Sequence, residues 1–257
     1  MLTAITRAVS PGLADCELTF LARQQIDVAK AIEQHRRYEE RLAQLGVQKI
    51  VQLPPDADLP DSVFVEDTAI VLDELAVITR PGAASRQAET ALVAEALSIY
   101  RPLRFIQPPA TIEGGDVMRV DRTFYVSLSP RTNQAGIDQL RAFVEPHGYR
   151  VEIIEVTGCL HLKSACTRIG RRSILANRAW INVQPLSQYT LIDVHKDEPW
   201  AANTLVIGDT VLMAEGFPRT RTTLEDRGFN TQTIDISELQ KAEAGLTCMS
   251  VFFESDD

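Results

Sequence analysis

The sequence predicts an α/β fold in which five copies of one supersecondary unit form a closed ring. Three observations predict it. An extended apolar segment, a short polar segment and a β-hairpin recur in the same order along the chain. The polar segments begin at positions 66, 113, 161, 203 and 248, at nearly equal intervals. The first strand of the chain also matches one arm of a later hairpin, as repeated architectures require.

The strands of each copy are predicted from alternating apolar residues and from their β-branched or aromatic content. The extended segments are residues 49–53, 103–106, 150–154, 189–192 and 231–234. The hairpins are residues 69–73 with 75–80, 117–121 with 123–128, 166–170 with 173–177, and 205–208 with 210–214. Glycine or aspartate is typical of the turns that join such arms.

Amphipathic helices are predicted clearly in three of the copies, at residues 24–45, 87–100 and 134–144. The apolar residues that the first helix would place on one stripe are Ile26, Ala29, Ile32, Leu42 and Leu45. Gly46 is typical of a helix stop. The other two copies carry only a short, weak helical pattern.

The last copy lacks one hairpin arm, because the sequence closes shortly after Val251-Phe252-Phe253. Residues 2–7 (LTAITR) closely match residues 75–80 (LAVITR) and can supply it. Pairing the first strand with the last would close the ring and protect both strand edges. We therefore expect a single domain, residues 1–257, in which all five polar segments surround one centre.

Composition narrows the possible functions. The 26 Lys and Arg against 35 Asp and Glu give a net charge of −9, which disfavours nucleic-acid binding and suits a cationic small molecule. No apolar run approaches the ~18 residues of a membrane span, and Arg7 interrupts the place of a secretory signal. The irregularly spaced Cys16, Cys159, Cys166 and Cys248 predict free thiols. We expect a cytoplasmic protein without nucleic-acid or membrane partners.

The polar segments place a thiol, an imidazole and several carboxylates at the same register of the repeat. These residues are Glu66, Asp67, Glu113, His161 and Cys248. Taken singly, each has an ordinary structural explanation, such as an inert buried thiol, a hydrogen-bonded histidine or a polar turn. Five unrelated structural roles would not be expected to place these residue types at the same position of the repeat. We therefore hypothesise that they form a catalytic centre.

These groups fit nucleophilic substitution at an electron-poor carbon. A thiolate is a strong nucleophile at neutral pH, and a nearby imidazole can protonate a leaving group. Carboxylates can hold a guanidinium through its paired N–H donors. The residues therefore predict attack by Cys248 on an amidine or guanidine carbon.

Five motifs resemble the dimethylarginine dimethylaminohydrolase family. They are residues 61–67 (DSVFVED), 78–83 (ITRPGA), 131–134 (RTNQ), 160–164 (LHLKS) and 246–248 (LTC). The resemblance covers essentially the whole chain. It implies the five-bladed α/β-propeller of ββαβ units, with pseudo-five-fold symmetry, of the guanidine-modifying (pentein) superfamily. It also implies hydrolysis of asymmetric dimethylarginine and monomethylarginine to citrulline plus dimethylamine or methylamine, through a covalent cysteine thiouronium intermediate and without a cofactor or metal.

The resemblance implies a role for each matched residue of the centre. Cys248 is expected to be the nucleophile, and His161 the general acid and then the general base. Glu113 is expected to hold His161 and to help place the guanidinium. Glu66 and Asp67 are expected to accept hydrogen bonds from the guanidinium or to lie beside it.

Further matched residues are expected at the amino-acid end of the substrate. Arg86 and Arg131 would clamp the α-carboxylate. The residues that would bind the amino group or line the site are Asp61 and, through their backbone carbonyls, Leu18 and Ala242. Leu18 falls in residues 10–19, which resemble the family's lid. Ala242 stands where better-known members carry a larger aliphatic residue, a change that a backbone contact survives.

Two other functions stay open on the sequence. One is another cysteine-dependent guanidine hydrolase of the same fold, such as an arginine deiminase. Arginine deiminases of this fold are longer, however, because they carry an inserted helical domain for which this chain has no room. The other is a metal-binding or regulatory protein, because Cys, His and carboxylates also bind zinc, although the spacing matches no compact zinc motif. Adventitious zinc at the centre would inhibit. The resemblance also allows a homodimer.

Overall fold

The computed structural model describes residues 1–255, whose strands form five separate three-stranded sheets. The strands are β1 Leu2–Arg7, β2 Lys49–Leu53, β3 Ala69–Val71, β4 Ala76–Ile78, β5 Leu103–Phe105, β6 Val117–Val120, β7 Thr123–Leu128, β8 Arg150–Glu155, β9 Cys166–Arg168, β10 Ser173–Ala176, β11 Thr190–Asp193, β12 Leu205–Ile207, β13 Thr210–Ala214, β14 Asn230–Ile234 and β15 Val251–Glu254. The helices are α1 Val28–Gln44, α2 Thr90–Ser98, α3 Gln134–Val144, α4 Leu162–Ala165, α5 Pro218–Glu225 and α6 Ser237–Gln240.

All five sheets share one topology. In four of them the middle strand is antiparallel to the preceding hairpin arm and parallel to the strand that follows the helical connection. Thus β4 pairs with β3 and β5, β7 with β6 and β8, β10 with β9 and β11, and β13 with β12 and β14. The predicted hairpins and extended segments are therefore confirmed, with shifts of one or two residues at their ends.

The fifth sheet joins the two ends of the described chain. β1 is antiparallel to β15, with Leu2 opposite Glu254 and Ile5 opposite Val251, and it is parallel to β2. β1 therefore occupies the position that β4 has in its own sheet. The predicted pairing of the first strand with the last is present.

Helix α1 begins later than predicted because Asp27 caps it. The Asp27 side chain accepts a hydrogen bond from the backbone N–H of Lys30 at 3.0 Å, so the helix begins at Val28 rather than at residue 24. At its other end Gly46 adopts a φ of 110°, in the left-handed region that commonly follows a helix. The predicted stop is confirmed. The preceding residues belong to the β1–α1 loop, which we define as residues 8–27.

The buried face of α1 differs from the predicted apolar stripe. Leu42 is buried, but Ala29 is exposed and Ile32 is 49% exposed, so this part of the prediction was wrong. Gln34 is buried instead, and its side chain makes two hydrogen bonds with α6, each of 2.9 Å. Hydrogen-bond partners allow a polar residue to be buried, and apolar periodicity does not reveal them.

The other connections follow the predicted pattern with one shift. α3 has the predicted bounds, and the Asn133 side chain caps it by accepting from the N–H of Gly136 at 2.9 Å. The helix predicted at residues 87–100 is α2, Thr90–Ser98, which continues directly from the 3₁₀ helix Ala84–Glu89. The two weak copies contain the short 3₁₀ helix Gln184–Leu186 and the two-turn helix α5.

The apolar packing is divided among five clusters rather than collected in one core. Clusters can bridge neighbouring copies. In one of them Met118 and Tyr125 of the second hairpin pack with Leu162 and Ile174 of the third copy. The polar turns are therefore not buried under a common apolar centre. No helix within residues 1–255 is both long and apolar enough to cross a membrane.

Candidate active site

Short turns that precede the first strand of a sheet carry the predicted central residues. Glu66 and Asp67 lie in the 3₁₀ turn Val65–Thr68, Glu113 precedes the turn Gly114–Asp116, His161 is the N-cap of α4, and Cys248 lies in the turn Thr247–Met249. Each turn leads directly into β3, β6, β9 or β15. The shared register in sequence is therefore a shared position in the fold.

Hydrogen bonds link the five turn regions to one another in cyclic order. The bonds are Gly115 N–H to Asp67 Oδ1 at 2.9 Å, His161 Nε2 with Glu113 Oε2 at 2.7 Å, Thr167 Oγ1 with Thr204 Oγ1 at 2.7 Å, Asn203 Nδ2 to Thr247 Oγ1 at 3.2 Å, and Thr247 Oγ1 to Glu66 Oε2 at 2.8 Å. The predicted central residues are thus brought together.

A narrow cavity of about 30 Å³ lies among these turns, and Glu17 of the β1–α1 loop forms part of its wall. Seven of the predicted site residues line it: Asp61, Asp67, Arg86, Arg131, His161, Ala242 and Cys248. Phe64 lines it as well. The volume accommodates a water molecule or two, whereas pockets for small organic ligands are about tenfold larger. The cavity as it stands is therefore too small for an amino-acid substrate.

Three predicted residues do not line this cavity. Glu113 is fully buried beside His161. Glu66 binds Lys163 and Thr247, and with them it lines a separate hollow of about 370 Å³. Leu18 is half-buried against an apolar cluster, next to a loop residue that does line the cavity. Glu66 thus lies beside the reaction centre rather than in it.

His161 is held by carboxylates on two sides. Its Nε2 bonds to Glu113 Oε2 at 2.7 Å, and its Nδ1 lies 4.0 Å from Asp67 Oδ1. Burial alone would favour the neutral ring, but the charges of Asp67, Asp116 and Glu113 outweigh it and raise the pKa of His161 to about 9. The ring is therefore an imidazolium at neutral pH, and it can donate a proton to a leaving group.

Gly115 permits the close packing of this pair. A Cβ at position 115 would lie 2.6 Å from His161 Nδ1 and 2.8 Å from Asp67 Oδ1, closer than a real Cβ can approach. Gly115 is therefore needed in the site because any side chain there would clash with His161 and Asp67. Its backbone N–H also holds Asp67.

Arg86 is buried and binds protein acceptors on most of its edge. Nη1 donates to Asp67 Oδ2 at 2.7 Å, and Nε and Nη2 donate to Glu89 at 2.9 to 3.2 Å. Nη2 also donates to the backbone oxygen of Phe64 at 3.1 Å. Four of the five N–H donors are thus engaged. Although burial favours the neutral acid, the charges of His161 and Arg86 lower the pKa of Asp67 to about 2.

Two of the residues expected at the amino-acid end of the substrate contact the β1–α1 loop. Asp61 Oδ2 accepts from the N–H of Glu17 at 3.0 Å, and Arg131 Nη2 donates to Thr19 Oγ1 at 3.4 Å. Arg131 also lies 3.6 Å from Glu113 Oε1. Arg131 is therefore less committed to protein partners than Arg86, and it is better placed to take up a substrate carboxylate.

Cys248 lies in a strongly negative environment. The N–H of Gly245 approaches its Sγ at 3.3 Å. Burial, together with the charges of Glu66 and Asp67, raises the pKa of Cys248 to about 12. The ligand-free protein therefore holds a neutral thiol, and binding of a cation in the cavity would favour the thiolate.

The resting state of Cys248 can be tested by ultraviolet titration of the thiolate band. We expect the difference between the absorbance spectra of the parent protein and Cys248→Ser to show no thiolate band below about pH 10. A thiol with a pKa near 12 ionises only in strong base. The difference removes the other cysteines and the tyrosines, which titrate in both proteins. A step at or below neutral pH would contradict the assignment.

Asp67, Glu113 and His161 are also close enough to hold a metal ion, since their ligand atoms all lie within 4.8 Å of one another. Arg86 Nη1 lies 2.7 Å from Asp67, however, and Arg131 Nη1 lies 3.6 Å from Glu113. Each carboxylate already faces a guanidinium, and positive neighbours oppose a divalent cation. The donor set fits a guanidinium better than a metal.

Several residues of the site have no role that was predicted from the sequence. Lys163 binds Glu66, and its position two residues after His161, in the motif at residues 160–164, is a charge signal that could have predicted the pair. Asp116 accepts hydrogen bonds from Ser127, Ser129 and Thr132 beneath the centre. Glu243 lines the cavity as well. No sequence signal distinguishes Glu243 from a surface glutamate.

Comparisons with known proteins agree with this geometry. Residues 19–195 match the family model described as N,N dimethylarginine dimethylhydrolase, eukaryotic. The N(G),N(G)-dimethylarginine dimethylaminohydrolase of Streptomyces coelicolor is 39% identical over 96% of this chain and 95% of its own length. The enzyme of that name from Pseudomonas aeruginosa is 37% identical over 88% of this chain and 90% of its own length.

A solved structure shares the fold over nearly the whole chain. It is a cysteine-to-serine mutant of the Pseudomonas aeruginosa dimethylarginine dimethylaminohydrolase complexed with citrulline. It aligns with a TM-score of 0.92 at 35% identity, and the match covers 98% of each chain.

Proposed function

Because the chain belongs to the dimethylarginine dimethylaminohydrolase family, we propose that it hydrolyses asymmetric dimethylarginine and monomethylarginine to citrulline plus dimethylamine or methylamine. It is a hydrolase acting on C–N bonds. The observation that carries the proposal is the convergence of Cys248, His161 and Asp67 on one cavity, with Glu113 bound to His161. A nucleophile, an acid and an anchor for a cation are the three parts that the reaction needs.

The first half of the reaction forms a covalent intermediate. The guanidinium cation enters beside Asp67, offsets the negative charge around Cys248 and lets the thiol release its proton to water. The thiolate then attacks the guanidinium carbon and forms a C–S bond. The imidazolium of His161 protonates the methylated nitrogen, and the C–N bond breaks. The products of this half are a thiouronium on Cys248 and a free amine.

The second half returns the enzyme to its starting state. His161, now neutral, takes a proton from water as the water oxygen attacks the thiouronium carbon. The C–S bond breaks as the carbon-bound hydroxyl loses its proton, the departing Cys248 sulfur takes up a proton through water, and citrulline and the neutral thiol remain. Glu113, which bonds to Nε2 at 2.7 Å, would keep the ring in one orientation during both proton transfers.

The ends of the cavity suggest how the amino acid is oriented. We assign the α-carboxylate chiefly to Arg131 and the α-amino group to Asp61, with the backbone carbonyls of Leu18 and Ala242 as further acceptors. Arg86 contributes mainly by holding Asp67, since most of its donors are engaged. Glu66, bound to Lys163, supplies negative charge from the adjacent hollow.

We propose further that the five sheets form a closed five-bladed propeller, and that residues 1–257 form one catalytic domain. The cyclic order of hydrogen bonds between the turns and the pairing of β1 with β15 support both proposals. The last two residues lie outside the described part of the chain. A homodimer, a cytoplasmic location and the lack of nucleic-acid or membrane partners stay predictions.

The substrate preference tests the proposal directly. We expect a kcat/KM for dimethylarginine or monomethylarginine at least about tenfold above that for arginine, a difference of about 1.4 kcal/mol. Arginine carries five N–H donors and dimethylarginine three, and an unpaired buried donor costs about 1–3 kcal/mol. Phe64 lines the cavity and offers methyl groups an apolar contact.

The measurement is citrulline formation from dimethylarginine, monomethylarginine, arginine and agmatine under identical conditions. Cys248→Ser protein, prepared in parallel, serves as the blank. Agmatine lacks the α-carboxylate that Arg131 would bind, so it reports on that end of the site. Equal or better use of free arginine would favour the arginine deiminase alternative, and no turnover of any guanidine would leave the metal-binding alternative to be tested with zinc.

A further inference from the structure

Glu243 binds the β1–α1 loop, although the two lie near opposite ends of the sequence. One carboxylate oxygen, Oε1, accepts hydrogen bonds from three consecutive backbone N–H groups. The donors are Thr19 at 2.9 Å, Phe20 at 2.5 Å and Leu21 at 2.6 Å. Hydrogen bonds to an ionised acceptor are stronger than neutral ones, and consecutive N–H groups form a natural anion site. These bonds fix the part of the loop that follows Leu18.

The backbone of Glu243 indicates that this side chain is needed there. Its φ of 61° lies in the left-handed region, just after α6. The N–H of Glu243 donates to Gln240 O at 3.0 Å, and the N–H of Ala244 donates to Leu239 O at 3.3 Å, as in a common helix termination. Glycine is the usual residue at such a position because it has no Cβ. A glutamate in this conformation is less stable than a glycine would be, and the hydrogen bonds of its carboxylate to the loop offset that cost.

Glu243 also belongs to the wall of the catalytic cavity, next to Ala242. Its second oxygen, Oε2, is buried and has no hydrogen-bond partner. The loop residue Glu17 lines the same cavity. The carboxylate therefore stands between the loop and the site, with one oxygen committed to the loop and the other enclosed.

Two other contacts of the loop are made by residues that a substrate would engage, whereas Ser85 Oγ donates to Glu17 Oε1 at 2.7 Å and lies outside the cavity wall. Asp61 holds the N–H of Glu17, and Arg131 reaches Thr19 Oγ1. An amino group or carboxylate in the cavity would compete for both. The bonds of Glu243 to the loop backbone need not change when the cavity fills.

We propose that Glu243 is the latch of the β1–α1 loop, a positioning residue that holds the loop closed over the catalytic cavity. Because the cavity is far smaller than an arginine derivative, we expect these three bonds to open for the substrate to reach Cys248 and to re-form before the chemistry. The effect on turnover rests on the proposed function, whereas the closure itself does not.

The closure is tested by amide hydrogen exchange in Glu243→Gly and Glu243→Gln. We expect the amides of Thr19, Phe20 and Leu21 to exchange at least about tenfold faster in Glu243→Gly, with a smaller increase in Glu243→Gln, which keeps a neutral acceptor. Glycine relaxes the backbone at this position, so the variant loses the latch without straining the fold.

Asp121→Gly is the matched control. Asp121, in the turn between β6 and β7, has a φ of 53° and is the other non-glycine residue with positive φ in the described chain. Its replacement relaxes a similar backbone conformation far from the loop, and it should leave the three amides unchanged. Unaltered exchange in Glu243→Gly would overturn the latch, whatever the protein's activity.

Turnover of dimethylarginine provides the second readout. We expect Glu243→Gly to raise KM about tenfold and to change kcat by less than about twofold, because a smaller fraction of the protein holds the closed conformation. Faster amide exchange with an unchanged KM would overturn the positioning role. If the parent protein turned over no guanidine, the proposed function would fail while hydrogen exchange would still decide the latch.

Discussion

Replacing Cys248 by serine is expected to lower citrulline formation from dimethylarginine by about a thousandfold or more. A serine hydroxyl is a far weaker nucleophile than a thiolate, and it is also a much weaker acid than a thiol, so it would not ionise beside these carboxylates. The side chain is only partly buried and has one polar contact, from the N–H of Gly245. The free energy of unfolding should therefore change by no more than about 1 kcal/mol.

Cys166→Ala is the matched control for this variant. Cys166 is a fully buried free thiol at the start of β9, five residues after His161, and it packs in an apolar cluster. Its loss should cost some stability and leave the kcat nearly unchanged. Substantial citrulline production by folded Cys248→Ser would show that the nucleophile has been assigned wrongly.

Replacing Arg86 by methionine is expected to lower the free energy of unfolding by about 3–5 kcal/mol. Arg86 is buried, and it is paired with the buried carboxylates of Asp67 and Glu89. Methionine fills much of the volume but leaves both acids without their cation. Such uncompensated buried charge is among the largest single effects on stability. Urea unfolding of the parent and variant proteins measures it.

Arg141→Met provides the comparison. Arg141 makes ion pairs with Asp138 at 2.9 Å and Glu145 at 3.6 Å on the exposed side of α3. Pairs of this kind contribute about 0–1 kcal/mol, so this variant should unfold almost like the parent. An Arg86→Met protein as stable as Arg141→Met would mean that Arg86 is not the structural centre of this network, and it would restore the view that its chief task is to bind substrate.

Much of the fold could be predicted because strands and turns repeat locally. Residues 2–7 and 75–80 carry nearly the same sequence, and β1 and β4 occupy equivalent places in their sheets. The first helix was predicted less well because its buried face is partly polar. Tyr38 is fully buried there, and its hydroxyl bonds to the backbone of Leu246 and to Ser250, which apolar periodicity does not register.

The site could be predicted as a set but not in its orientation. The common register of the turns indicates that Glu66 and Asp67 lie near the centre, but the sequence does not show that they face different hollows. That difference follows from the 3₁₀ turn and from Lys163 and Arg86, which draw the two carboxylates apart. The contact of Glu243 with the β1–α1 loop is likewise tertiary, and local sequence carries no trace of it.

The pairing of β1 with β15 also has a consequence for folding kinetics. The other four sheets each form from one continuous stretch of chain, so their contacts are comparatively local and can form early. β1 and β15 must meet from opposite ends of residues 1–255, and the entropy of closing so long a loop delays that step. Until then both strands have unpaired edges that can pair with strands of other molecules, so aggregation competes with formation of the fifth sheet. Cys248 lies just before β15 and is fixed in place by the same event. A partly folded chain therefore has unpaired strand edges that favour aggregation, and Cys248 is not yet held in its place in the site.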